Sequence, residues 1–72
     1  MATKILELKV VWDILWQEYQ VEYWENNNLI ESKTYYTPNV DDARMTALVI
    51  KSEEAKNYKS ISIKDYTERI FG

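Results

Sequence analysis

The chain has no cysteine and no histidine, and its 72 residues include one glycine and one proline. Without cysteine there is no disulfide framework and no thiolate metal site, and the composition fits a reducing compartment. Without histidine the commonest metal ligand and the commonest general base are both missing. Ser32, Ser52, Ser60 and Ser62 therefore have no imidazole to activate them, and no glycine-rich loop is present to cradle a phosphate or an oxyanion. Basic residues are also outnumbered, nine against twelve acidic, for a net charge of −3. A nucleic-acid binder usually carries a basic stripe, and this chain has none. The longest apolar runs, such as Ala47 to Ile50, are too short to span a bilayer. The N-terminal Met-Ala-Thr-Lys carries no long apolar stretch of the signal-peptide kind. The expectation is a single soluble, cytoplasmic domain over residues 1–72, with no enzymatic activity, no cofactor and no bound metal.

What is abundant is aromatic surface. Seven of the ten aromatic residues fall between Trp12 and Tyr36, a window with no basic residue before Lys33. Trp12, Trp16, Tyr19, Tyr23, Trp24, Tyr35 and Tyr36 are interleaved there with Asp13, Glu18, Glu22, Glu25 and Glu31. So small a domain has difficulty burying that many rings, and exposed aromatic patches mark interaction sites.

The periodicities outline an α+β domain. Tyr19, Val21 and Tyr23 alternate with Glu18, Gln20 and Glu22, the two-residue period of a half-buried strand, and a hairpin is expected over Gln17 to Tyr36. With glycine scarce, Asn26-Asn27-Asn28 must make its turn. A turn centred on Asn26-Asn27 pairs Trp24 with Leu29 and puts Ile30 on the Tyr19/Val21/Tyr23 face. The competing register pairs Glu22 with Lys33 and exposes Ile30. Burying Ile30 is worth about 1.5–3 kcal/mol against under about 1 kcal/mol for an exposed cross-strand ion pair, so the first register is preferred.

After Pro38, Asn39 is placed to cap a helix from Val40 to about Lys56, with Asp42 completing an approximate capping box. Val40, Ala43, Ala47 and Ile50 share one side, while Met45, Leu48 and Val49 spread over the other. Either a wide arc is buried or the helix contacts two bodies. Ile61 and Ile63 then alternate with Ser60, Ser62 and Lys64 in a strand over Tyr58 to Tyr66, and Ile70-Phe71 in the tail can tuck against the fold.

The first fifteen residues read both ways. Leu6, Leu8, Val10 and Trp12 make one face of a strand, and Ile5, Leu8, Trp12, Leu15, Trp16 and Tyr19 make an equally regular helical stripe. The β-branched Val10-Val11 pair leans toward strand. The expected architecture is a small antiparallel sheet of three to four strands with one helix on one face. The last strand is expected beside Gln17–Trp24 and antiparallel to it.

The text YQVEYWENNNLIESKTYY, followed by NVDDARMTALVI and YKSISIKDY, resembles small phage-encoded β-β-α-β proteins over residues 17 to 66. That resemblance implies binding to a host protein, in the host cytoplasm.

The candidate partner site is the face of the hairpin opposite Tyr19 and Tyr23. There Trp16 and Trp24 would act as anchors, Glu18 and Glu22 would select a basic protein surface, and Tyr35 would sit opposite Glu18 in the preferred register. A homodimer through the sheet face or edge is a second expectation. Single-stranded nucleic acid stacked on these rings is the rival, opposed by the interleaved carboxylates. The pairs Asp41/Asp42 and Glu53/Glu54 are adjacent on a helix and point about 100° apart, so neither converges on one ion. Glu18, Glu22 and Glu25 likewise read as solvated side chains.

Overall fold

The computed structural model describes residues 3–67. Five strands and one α-helix form a mixed sheet with the helix packed on one face, an α+β architecture. The strands are β1 (Ile5–Asp13), β2 (Glu18–Glu25), β3 (Asn28–Leu29), β4 (Tyr35–Thr37) and β5 (Ser60–Asp65), and the helix α1 is Val40–Glu54.

β1 and β2 form the central antiparallel hairpin, with Leu8 opposite Tyr23, Val10 opposite Val21 and Trp12 opposite Tyr19. The ambiguous N-terminal segment is therefore a strand. Its helical stripe fails because the chain reverses after Asp13, which leaves Leu15 and Trp16 outside any regular element. Leu6, Leu8, Val10, Tyr19, Val21 and Tyr23 all point to one face and are buried with Ala43, Ala47 and Tyr58. Ile30, Val40, Ile50, Ile61 and Ile63 pack at the margin.

The β2–β3 turn takes the preferred register. Trp24 faces Leu29 and Glu25 faces Asn28. Asn26 and Asn27 both adopt left-handed backbone, φ 49° and 69°, as a two-residue type I′ turn requires. Asn26 also latches the start of β1: its side-chain oxygen accepts from the Ile5 amide at 2.9 Å, and its own amide donates to the Ile5 carbonyl at 2.9 Å.

Two expectations need correcting. β5 does not lie beside β2. It pairs with the far side of β1 and runs parallel to it, with Leu6 opposite Ile61 and Leu8 opposite Ile63. β1 already occupies one side of β2, and β3 and β4 occupy the other. The helix therefore carries the chain across both central strands to the open edge of β1.

The second correction concerns the strand after the Asn turn. A 3-10 turn at Glu31–Lys33 interrupts it, and pairing resumes in β4 with Tyr19 opposite Thr37, Gln20 opposite Tyr36 and Val21 opposite Tyr35. The inserted residues shift the register by three. An odd shift exchanges the two faces of a strand.

The helix begins as expected. The Asn39 side chain accepts from the amides of Asp41 and Asp42, at 2.8 and 3.2 Å. Asp42 serves another purpose than the expected capping box, since its carboxylate accepts the Tyr35 hydroxyl at 2.7 Å and ties β4 to the helix. At the other edge, Arg44 donates to Asp65 at 2.6 Å and to the Thr67 hydroxyl at 2.9 Å. The Thr67 amide donates to the same Asp65 carboxylate at 2.9 Å. Burial alone would raise the Asp65 pKa, but the Thr67 hydroxyl and amide and the Arg44 guanidinium outweigh it and hold the carboxyl below its usual value. Ile70 and Phe71, expected to tuck against the fold, lie outside the described residues.

Candidate interaction surface

The sequence-predicted site residues separate into three places. Glu18, Glu22 and Trp24 lie on the open sheet face, the one turned away from the helix. Tyr35 does not. The three-residue shift places it beside Val21 on the core side, with its hydroxyl on Asp42, and puts Tyr36 on the open face opposite Gln20. The Asp42 carboxylate accepts a hydrogen bond from the Tyr35 hydroxyl and so holds that hydroxyl's pKa above its ordinary value. Trp16 is not on the sheet at all but in the β1–β2 turn.

Trp24 is not a free anchor either. The Lys9 ammonium stands 4.0 Å from its ring centroid, and its indole N–H donates to Glu22 at 3.0 Å. Lys9 also pairs with Glu7 at 3.4 Å, and Glu7 with Lys64 on β5 at 2.9 Å. The hydrogen bond from Lys64 is the main reason the Glu7 carboxyl sits below its ordinary pKa. A chain of alternating charge thus crosses β5, β1 and β2, with the Trp24 ring inside it. This supplies the covering that the sequence appeared to require from another body. Lys9 covers one face of the Trp24 ring.

The most exposed apolar side chains among the described residues are at the hairpin tip. Ile14, Leu15 and Trp16 are 81%, 80% and 72% exposed. The nine-residue β1 spans about 30 Å at 3.3 Å per residue, whereas the fifteen-residue helix spans about 22 Å, so the hairpin outruns its cover. Trp12 closes the core at that end by packing on Tyr19, with ring centroids 4.7 Å apart and planes tilted by 57°. Beyond Trp12 the chain is bare.

That bare turn is nonetheless fixed. One Asp13 carboxylate oxygen accepts from the amides of Leu15 and Trp16, at 3.0 and 3.3 Å, and the other accepts from the Gln20 side chain at 2.7 Å. Gln17 closes the turn in the left-handed region at φ 52°. Local side-chain-to-backbone bonds of this kind hold turns without a core. Sequence reasoning missed the tip because it assigned Trp16 to a strand. The available signal was Asp13, a residue that bonds its own downstream amides, followed after four residues by the regular alternation of β2.

Among the described residues no group of three or more acidic side chains is placed to hold a metal ion. A cleft of about 410 Å³ is lined by Lys4, Glu25, Lys33, Glu54 and Tyr58, among others. Lys4 pairs with Glu25 there at 3.3 Å, and burial is the main cause raising the Tyr58 hydroxyl's pKa. No described helix is long and apolar enough to cross a membrane. Compared with protein-family models, curated proteins and solved structures, the chain matches none.

Proposed function

We propose that the chain is a non-enzymatic protein-binding module that seats its β1–β2 hairpin tip in an apolar socket of a partner protein. The observation that carries this reading is that three adjacent large apolar side chains are bare on a turn whose backbone is already fixed. A preordered apolar tip loses little conformational entropy on docking, and aromatic anchors in desolvated pockets dominate binding energy. Asp13, Glu18 and Glu22 lie behind the tip on the hairpin, and the net charge is −3. This acidity favours a socket with a basic rim and disfavours an anionic bilayer or a phosphate backbone. Phage origin with a host-protein target is compatible with this reading and rests on the sequence resemblance alone.

The test is affinity capture with the full chain and with Trp16→Ser, the captured proteins being identified by mass spectrometry. A partner retained by the parent and lost with Trp16→Ser, at matched thermal midpoints, supports the reading. Equal retention by both chains refutes it. Partition of the parent, but not of Trp16→Ser, onto phosphatidylcholine vesicles would refute it in favour of a lipid target.

A further inference from the structure

The outer edge of β5 lies on the opposite side of the sheet from β3. Asn26 takes both the amide and the carbonyl of Ile5, so the odd-numbered residues of β1 bond toward β2 and the even-numbered ones toward β5. Val10 accordingly accepts the Tyr66 amide at 2.9 Å. Alternation along β5 then turns the amides and carbonyls of Ile61 and Ile63 outward. Among the described residues no strand pairs with that side. Charge commonly blocks such an edge, yet the open-face side chains of β5 are Ser60, Ser62 and, toward one end, Lys64. Beside Ser62 the open face holds a cavity of about 220 Å³, lined by Ile5, Glu7, Trp24, Asn26, Asn27 and Ser62. Ile5 is 48% exposed there, and Lys9 stands over one face of the Trp24 ring.

We propose that this edge takes an extended segment of a partner protein as an added antiparallel strand, with one large apolar side chain entering the cavity beside Trp24. Donors and acceptors repeating every second residue are matched by extended backbone, and each pair opposite Ile61 or Ile63 exchanges two bonds. The segment residue between those pairs stands opposite Ser62, in the closer, non-hydrogen-bonded position, and its side chain lies on the open face. Because Ser62 is small, a phenylalanine, leucine or methionine there passes over it to Ile5 and the Trp24 ring. Two residues earlier, the segment faces the half-exposed Lys64, so an acidic side chain suits that position. A second copy of β5 is the poorer occupant. It presents Ser60, Ser62 and Lys64 on this face and would leave the cavity without an apolar side chain. Backbone bonds give affinity and the cavity gives selectivity, for a dissociation constant between roughly 10 μM and 1 mM. This inference is independent of the tip reading, because no tip residue takes part.

Fluorescence anisotropy of labelled heptapeptides titrated with the full chain tests it. The peptides alternate threonine and valine, with aspartate third and phenylalanine, leucine or methionine fifth, the fifth residue being the one placed opposite Ser62. At least one of the three should bind below about 1 mM, and alanine at the fifth residue should weaken it about tenfold or more. Methylating the fourth and sixth amide nitrogens, which face Ile63 and Ile61, should abolish binding, whereas methylating the fifth, which faces solvent, should not. Ser62→Lys should weaken binding about tenfold while the far-ultraviolet circular dichroism stays unchanged, and Trp16→Ser should bind like the parent. Failure of all three peptides to bind overturns the proposal, as does binding indifferent to the fifth side chain. Equal loss from methylation at either set of amides overturns the added strand. Sedimentation showing a parent dimer that Ser62→Lys dissociates overturns it in favour of a second copy.

Discussion

Trp16 and Trp24 have the same side chain and sit on the same hairpin, and the structure requires opposite consequences from removing them. Trp24 is half-buried, stacked under the Lys9 ammonium and bonded to Glu22. Withdrawing about 100 Å² of its ring from water contributes about 2.5 kcal/mol at 25 cal/mol/Å². The cation–π contact adds about 0.5–1 kcal/mol, and the indole bond to a partly exposed carboxylate about as much. These are upper values, since unfolded chains already shield part of their surface. Trp24→Ala should therefore cost about 2–4 kcal/mol. Trp16, 72% exposed, should cost less than about 1 kcal/mol as Ala.

A 72-residue domain holds about 4–11 kcal/mol in total, so Trp16→Ala should still fold in water, and Trp24→Ala should too where the parent holds more than about 4 kcal/mol. Urea unfolding is best followed by far-ultraviolet circular dichroism, because the substitutions themselves change tryptophan emission. With a urea dependence of about 1 kcal/mol per molar, Trp24→Ala should lower the midpoint by about 2 M or more and Trp16→Ala by under about 1 M. Trp24→Phe keeps a ring under Lys9 but loses the indole bond and part of the ring area, so it should fall between them. Midpoints that agree within about 0.5 M for the two alanine variants would refute the assignment of Trp24 to the charge network and of Trp16 to the free tip.

Two further outcomes follow from local geometry. Asp65 has a folded pKa below its ordinary value, so its stabilising contribution is complete above the unfolded carboxylate pKa of about 3.9 and disappears as pH falls through the folded value. Asp65→Asn should accordingly be less stable than the parent at pH 5 to 7, with the difference closing below about pH 4 in a pH series of thermal midpoints. A difference constant down to pH 2 would exclude the linkage. Gln17→Gly should stabilise the fold by about 0.5–1 kcal/mol in the same urea assay, because glycine adopts φ 52° without the steric cost that glutamine bears. A loss of stability would mean that the Gln17 side chain holds the turn.

The parts of the fold legible in the sequence are those specified by local periodicity. Tyr19, Val21 and Tyr23 face the core as their alternation predicts, Asn39 caps the helix, and burial of Ile30 selects the register at Asn26-Asn27. The errors came where the decisive contact is distant or breaks a period. Parallel pairing of β5 with β1 leaves no turn signal between the two, since a whole helix intervenes. The 3-10 turn at Glu31–Lys33 exchanges the roles of Tyr35 and Tyr36 without interrupting the run of strand-forming residues that follows. The candidate site was legible in composition but not in place. Excess ring surface was real at Trp16 and only apparent at Trp24, because Lys9, fifteen positions earlier, reaches that ring through the β1–β2 pairing.

An antiparallel hairpin with one solvated face usually alternates polar outward and apolar inward. Here that pattern is nearly complete: Glu7, Lys9, Glu22 and Lys64 neutralise one another across the open face and enclose its one indole. The charge network covers part of the Trp24 ring, while Tyr36 on the same face stays exposed. Among the described residues, two groups of exposed apolar side chains lie off that face, one on the hydrogen-bonded turn ahead of the sheet and one on the outer side of the helix behind it. The two patches share no residue and lie on different elements, so one can be filled while the other stays open.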